Sequence, residues 1–332
     1  MHSLAHSLAR CALANGARIV VNSPVSEVII VDGEAKGVRV SGDSLLDDKT
    51  IWADRGVILN THVKQIPDLI SRDHVNTTFV QRIEDLSLKG GSLFVTNLIV
   101  KELPVYKDAP EEFSPDDYPV GMSLHCDTDN VMELMRTIHS FRMHPEHPDE
   151  YAGIWYIVHD QHDPTRGRAK KAGAEGHVIT VNLQVPAPEY HRDGPDAVNK
   201  VKDEIVDNIK TVLRQYAPNM TDDKYIATPT NTPYDSEFRN MAFVGGNWEG
   251  ARSSQDEWWS NKPLPEMARY RTPIAGLYHC HQTAYPGGLC LIAVPYNLMH
   301  ILIEDYPEMK KSTPDWWYPS PWHITDEEGG TK

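Results

Sequence analysis

A chain of 332 residues, 40% hydrophobic and 24% charged, has the make-up of an ordinary globular protein and the length for two domains or one large interrupted one. Its net charge of −15 argues against a non-specific nucleic-acid binder, which needs a basic face. The four cysteines, Cys11, Cys126, Cys280 and Cys290, are far apart with no CxxC pair, so neither a zinc ribbon nor a disulfide framework is expected and a reducing, cytoplasmic setting is the default.

Residues 1–15 are predicted to form an amphipathic helix with Leu4, Leu8, Ala12 and Leu13 in one stripe and Asn15-Gly16 closing it. It lacks the long apolar core of a secretory signal, and no run in the chain approaches the length of a membrane span. Three β-rich runs follow, 17–21, 25–31 and 37–40, the last two separated by Asp32-Gly33, a hairpin signal. The run 56–60 is apolar throughout and reads as a buried strand. Further strands are expected at 93–100, 153–159 and 177–185, and a helix at 131–139. The Pro- and acid-rich stretch 104–119, the loop 144–150 and the basic stretch holding Arg166, Arg168, Lys170 and Lys171 read as surface. The most regular helix is predicted over 196–216, with Val198, Val201, Ile205, Ile209, Val212 and Leu213 on one face and Asp196 acting in the first turn. Thr232-Pro233 and Gly245-Gly246 mark turns, and the tail from 312 holds Trp316, Trp317, Tyr318 and Trp322 among prolines. Asn76-Thr77-Thr78 and Asn219-Met220-Thr221 match a glycosylation sequon but are read as accidental. The mixture of strands and helices is α/β or α+β.

The stretch Arg271–Asn297, RTPIAGLYHCHQTAYPGGLCLIAVPYN, has the order apolar run, polar cluster, Pro-Gly-Gly break, apolar helix. Strand, glycine loop and helix is a phosphate-binding grammar, and it is equally the grammar of a plain connection. His279 and His281 are two apart and share one face of a strand end. They read either as a proton-handling or ligand-contacting pair or as polar residues lining a cleft. Tyr285 stacks on a ligand or packs, and Cys280 is redox-active or a small buried hydrophobe. His2 and His6 are i, i+4 without a third ligand in view, so no metal site is expected.

Four patches in order resemble one family. They are LAHSLARCALANGARIVVNSPVSEVIIVDGEAKGVRV within 1–40, GVILNT at 56–61, HDPTRGRAKKAGAEGHVITVNLQVPAPEY within 160–190, and TPYDSEF, GGNWEG and YRTPIAGLY leading into PGG within 232–296. Together they look like FAD-dependent oxidoreductases of the phytoene-desaturase and carotenoid-isomerase type, with their amine-oxidase-like relatives. The resemblance implies a partial Rossmann-like FAD-binding domain over 1–72 and 238–310, an inserted mixed-sheet α+β substrate domain over 73–237 and a tail over 311–332. It implies two-electron dehydrogenation of a small or lipophilic organic substrate, with hydride passing to flavin N5. Val25 would hold the adenine end through its backbone. Asn60, Cys280, Pro286, Gly287, Gly288 and Asn297 would line the cofactor, with His279, His281 and Tyr285 as the catalytic candidates. The family's GxGxxG unit, which holds the pyrophosphate, has no counterpart in this sequence, so a second polypeptide is expected to carry it. His281, Leu289, Ile292 and Pro295 stand where the family has glycines, and Tyr285 where it has histidine. Those departures keep open an alternative, a flavin-free partner or scaffold subunit derived from such an enzyme.

Overall fold

The computed structural model describes residues 2–42, 46, 48–88, 92–109, 121–125, 154–159, 176–185, 196–251, 261–287 and 292–312. The predicted helix at 131–139, the loop at 144–150, the basic stretch at 166–171, Cys126, Gly288, Leu289, Cys290 and the tryptophans Trp258, Trp259, Trp316, Trp317 and Trp322 lie outside them. The fold is mixed α/β. In chain order its elements are α1 (His2–Ala14), β1 (Val25–Val31), β2 (Glu34–Val40), β3 (Thr50–Trp52), β4 (Val57–Leu59), α2 (Ile66–Leu69), α3 (Thr77–Glu84) and β5 (Ser92–Val100). Then come β6 (Gly121–His125), β7 (Ile154–His159), β8 (His177–Val185), α4 (Ala197–Tyr216), β9 (Tyr225–Ala227), β10 (Thr230–Asn231), α5 (Pro233–Arg239), β11 (Leu277–His279) and α6 (Ala293–Asp305). They fall into two compact units: Met1–Asp85 with Trp259–Tyr285 and Ile292–Lys332, and Leu86–Trp258 with Pro286–Leu291.

In the first unit β1, β2 and β3 form an antiparallel sheet. Its hairpin turns at Asp32 (φ 53) and Gly33 (φ 79), the two positive φ values a tight two-residue turn demands, so Asp-Gly folds as expected. Val28, Ala35 and Val40 are buried beneath it. The run 17–21 does not become the predicted strand. β-branched residues form strands only when a neighbouring strand completes the ladder, and none pairs with this run among the described residues. The remaining strands of this unit, β4 and β11, pair parallel in register Val57↔Leu277, Ile58↔Tyr278, His279↔Leu59.

The second unit is built on an antiparallel sheet of order β10-β5-β8-β7-β6, with β9 also on β5. β5 alternates strictly: Ser92, Phe94, Thr96, Leu98 and Val100 are buried, and the residues between them are not. Ile179, Val181, Leu183 and Val185 of β8 share that face. Helix α4 covers it with Val198, Ile205, Val206, Ile209 and Leu213, and with the half-buried Val201 and Val212. The apolar stripe read from the sequence is therefore the core-facing side. Asp196 is the N-cap residue of α4, yet its side chain makes no cap hydrogen bond. It lies instead 3.5 Å from Lys200, one turn along, an exposed pair of small energetic weight. The two sequons have structural uses: Asn76 caps α3 by accepting the Thr78 N–H at 2.7 Å, and Asn219 accepts the Val105 N–H at 2.8 Å while donating to Leu103.

Ile205 is 1% exposed at the centre of this layer. Ile205→Ala is expected to cost about 2–5 kcal/mol through lost burial and a residual cavity, read as a lowered urea midpoint with an unchanged slope.

Candidate functional site

Two segments more than 200 residues apart make the floor of the site. A tight hairpin delivers β11: Thr272 N–H donates to Leu277 O at 2.9 Å, and His279 N–H to Tyr270 O at 2.8 Å. The Thr272 hydroxyl accepts the Ile274 N–H at 3.2 Å and so sets the Thr-Pro turn. Gly276, at φ 67, turns the chain into β11, and a Cβ on Gly56 would lie 2.6 Å from the Gly276 carbonyl. Only glycine lets β4 and β11 start this close together. Val57 N–H then bonds Gly276 O, and Cys280 N–H bonds Leu59 O, each at 2.8 Å.

The carboxyl ends of the pair lead into Asn60-Thr61-His62 and Cys280-His281, the side of an α/β sheet on which ligands bind. Here three imidazoles meet. The His62 and His281 rings stand edge to face at 5.5 Å between centroids, and His279 and His281 are 6.2 Å apart. All three are buried, His279 completely. The hydrogen-bond network assigns their tautomers. His62 Nδ1 accepts the Lys64 N–H at 3.1 Å, within a capping box closed by Gln65, which leaves its proton on Nε2. His281 Nδ1 accepts the Thr283 N–H at 3.2 Å, with the same result. His279 Nε2 donates to Thr61 O at 3.1 Å. Thr283, fully buried, sits between: its Oγ1 is 3.3 Å from His279 Nε2 and 3.1 Å from His281 Nδ1. The hydroxyl therefore accepts from the first ring and donates to the second. Among the described residues, His279 Nδ1 and Thr61 Oγ1 are buried without a hydrogen-bond partner.

Burial pushes the His279 imidazole down to about 4, against the upward pull of its bond to Thr61 and with a smaller downward push from His62. The ring is neutral at neutral pH. Cys280 is half-buried and burial raises its thiol, so it is not a poised thiolate. Beside the cluster, Tyr270 adopts φ 64, a left-handed backbone that costs a bulky residue on the order of 1–3 kcal/mol. Its hydroxyl donates to Tyr285 O at 2.7 Å and accepts from Asn297 Nδ2 at 2.9 Å, tying two sequence-predicted residues together, and burial raises it to about 12.

Of the residues singled out from the sequence, His279, His281 and Cys280 meet at the end of β11, and Asn60 is exposed directly after β4. Tyr285 and Asn297 join through Tyr270. Val25 opens β1, paired with Val40 and outside this hydrogen-bonded group. Pro286 and Gly287 (φ 108) group with the second unit. Among the described residues no group of three His, Cys, Asp or Glu is placed to hold a metal ion, and no helix is long and apolar enough to cross a membrane. Sequence reading missed Thr61, His62, Tyr270 and Thr283. Thr61, His62 and Tyr270 matter through partners distant in sequence or through the backbone, and Thr283, though close in sequence to both rings it bonds, has no residue pattern that marks it.

No family model matches the chain. The rat protein "Pyridine nucleotide-disulfide oxidoreductase domain-containing protein 2" is 25% identical over 315 residues, covering 93% of this chain and 51% of that protein. Its mouse counterpart is 26% identical over the same shares. The chain thus spans about half the length of these curated relatives. An oxidoreductase of known structure from Methanosarcina mazei superposes with a TM-score of 0.49 at 16% identity, over 89% of this chain and 52% of that one.

A neutral His279 makes stability depend on pH. The unfolded ring takes a proton near 6.5 and the folded one near 4, so the unfolded state binds more protons between those values and stability falls as pH is lowered through them. The loss is expected to approach about 3 kcal/mol at pH 4. Urea midpoints across that range check it, and His279→Leu is expected to flatten this part of the profile.

Proposed function

We propose that the chain is the C-terminal part of an FAD-dependent oxidoreductase that removes two electrons from a small or lipophilic organic substrate. The observation that carries this reading is the convergence of the β4 and β11 loops into one buried polar cluster at the carboxyl ends of a parallel pair. Support comes from the four resembling patches and from oxidoreductase-domain relatives matched over 93% of the chain.

The residues fit such a cofactor at this end. Thr61 Oγ1 and His279 Nδ1 are buried polar atoms without a hydrogen-bond partner among the described residues, and the Gly56–Gly276 contact brings backbone close to the loops. Asn60, Cys280 and Asn297 would line FAD, and Val25 would meet its adenine end through the backbone. Bound flavin supplies the hydride acceptor. The chain's own residues hold the surroundings. His279, neutral and anchored on Thr61, is no acid at neutral pH, and its Nδ1 is a base buried away from bulk water. His281 is held through Nδ1 by Thr283, and Tyr285 is fixed through its carbonyl by Tyr270. The burial of the cluster excludes water, as a hydride-transfer site requires. A second polypeptide supplies the GxGxxG half.

One observation favours a second reading. His281, buried and bonded within its own loop, stands where the resembling family has glycine, which suits a flavin-free subunit that only shapes a pocket.

Co-expression with a polypeptide that carries a GxGxxG unit separates the two. The expected complex is yellow, with a flavin spectrum that bleaches on reduction, and His281→Gly changes flavin affinity by about tenfold or more, a shift of at least ~1.4 kcal/mol. A colourless complex supports the scaffold, and an unaltered His281→Gly complex removes His281 from the site.

A further inference from the structure

We propose that His62 and His281 form a paired acid latch: each neutral ring closes its own loop, and the loops at 61–65 and 281–285 open together as the pH falls. The latch belongs to the cluster itself and holds with or without a flavin. Both rings make the same local bond. His62 Nδ1 accepts the Lys64 N–H at 3.1 Å and His281 Nδ1 the Thr283 N–H at 3.2 Å, in each case the N–H two residues on. An Asn side chain makes this bond in an Asx turn. The Asn carbonyl accepts at any pH, but an imidazole that gains a proton has two donors and no acceptor. Protonation of either ring therefore sets N–H against N–H and breaks its turn. At His62 it also strains the capping box, in which Gln65 Oε1 accepts the His62 N–H at 3.0 Å. At His281 it removes the acceptor of the Thr283 hydroxyl, 3.1 Å from Nδ1.

The two turns are coupled. His62 is 1% and His281 7% exposed, their rings meet edge to face at 5.5 Å, and His279 lies 6.2 Å from His281. A cation on one closed ring would press against a second buried imidazole, so the protons bind once the rings part and water enters. The turn Val63–Gln65 packs against α2 and α3, whose charges are engaged elsewhere. Lys64 Nζ donates to Glu84 O at 3.1 Å, Arg82 grips Glu266 at 2.8 and 2.9 Å, the Glu84 carboxylate lies 3.6 Å from Arg72, and Asp68 is exposed. Around β11 the other titratable groups are Cys280, Tyr270 and Tyr285, and burial raises the first two, which stay neutral. An imidazole in water takes a proton near about pH 6.5. The open form thus binds more protons than the closed one below that value, and acid drives opening. For two rings, a drop from about pH 7.5 to about pH 6 favours opening on the order of tenfold.

Amide hydrogen exchange of the full chain, corrected for the pH dependence of intrinsic exchange, reads the latch at Lys64 and Thr283. Their protection is expected to fall together, on the order of tenfold between about pH 7.5 and about pH 6, while the amides of β5 in the other unit keep theirs. His62→Asn and His281→Asn keep an acceptor for the same N–H and cannot take a proton. Each is expected to hold its turn at neutral pH and to cut the acid response at both amides to about fourfold, and the double variant to abolish it. Unchanged protection at Lys64 and Thr283 in the parent chain would overturn the proposal, and that measurement needs no variant. So would an acid response that survives in the double variant, or one confined in each single variant to the amide beside the remaining histidine, which would make the turns independent. An equal loss of protection in β5 would be acid unfolding of the chain and would overturn it too.

Discussion

The pairing of Val57–Leu59 with Leu277–His279 is the constraint on which the rest depends. It is only three residues long, yet it joins positions 218 apart at the Thr61–His279 hydrogen bond, with nearly the whole second unit lying between them in sequence. Closing so long a loop carries an entropy cost that grows only slowly with length, so a short ladder suffices if its surroundings are well packed. They are: Leu277, Tyr278 and His279 are all buried. Two glycines permit the approach, and the backbone bonds at Val57 and Cys280 fix the register. A slip of one residue would turn His279 to the opposite face and disperse the imidazoles.

A second set of interactions holds β11 against α6. Glu304 and Asp305 sit at the carboxyl end of that helix, where its dipole disfavours negative charge. Arg271 offsets this with two bonds to Asp305, at 2.7 and 2.9 Å, and one to Glu304, while Arg269 grips Glu304. Tyr278, from β11 itself, donates to Asp305 at 2.7 Å. The Arg271 bonds, reinforced by Tyr278, hold the Asp305 carboxyl below its usual range against the opposing effect of burial. The strain at Tyr270 is held in place by the same kind of crowding, since its hydroxyl bridges Tyr285 and Asn297 on either side.

What could be read from the sequence follows the range of the interactions involved. Helix α4 was legible because its stripe repeats over five turns, and the Asp32-Gly33 hairpin because two adjacent residues set the turn. The run 17–21 misled because a strand is completed by its neighbour and not by its own β-branched residues. Within the site, His279 and His281 were visible through spacing of two on a strand end. His62 was invisible because it lies more than 200 residues away and looks like an ordinary cap, and Thr283 because a threonine after a turn gives no sign that its hydroxyl and N–H bond the two rings just before it. The parallel pair itself, three residues against three, is too short to carry a periodic signal.

His279, neutral and fully buried, lies at the centre of a hydrogen-bonded group in which the loops of β4 and β11 meet. Nitrogen-resolved NMR of the histidine side chains measures this directly. The expected His279 ring carries its single proton on Nε2 and stays neutral from about pH 8 to about pH 5, with a titration near 4. A His279 that titrates near 6.5, or that carries its proton on Nδ1, would contradict the site described here.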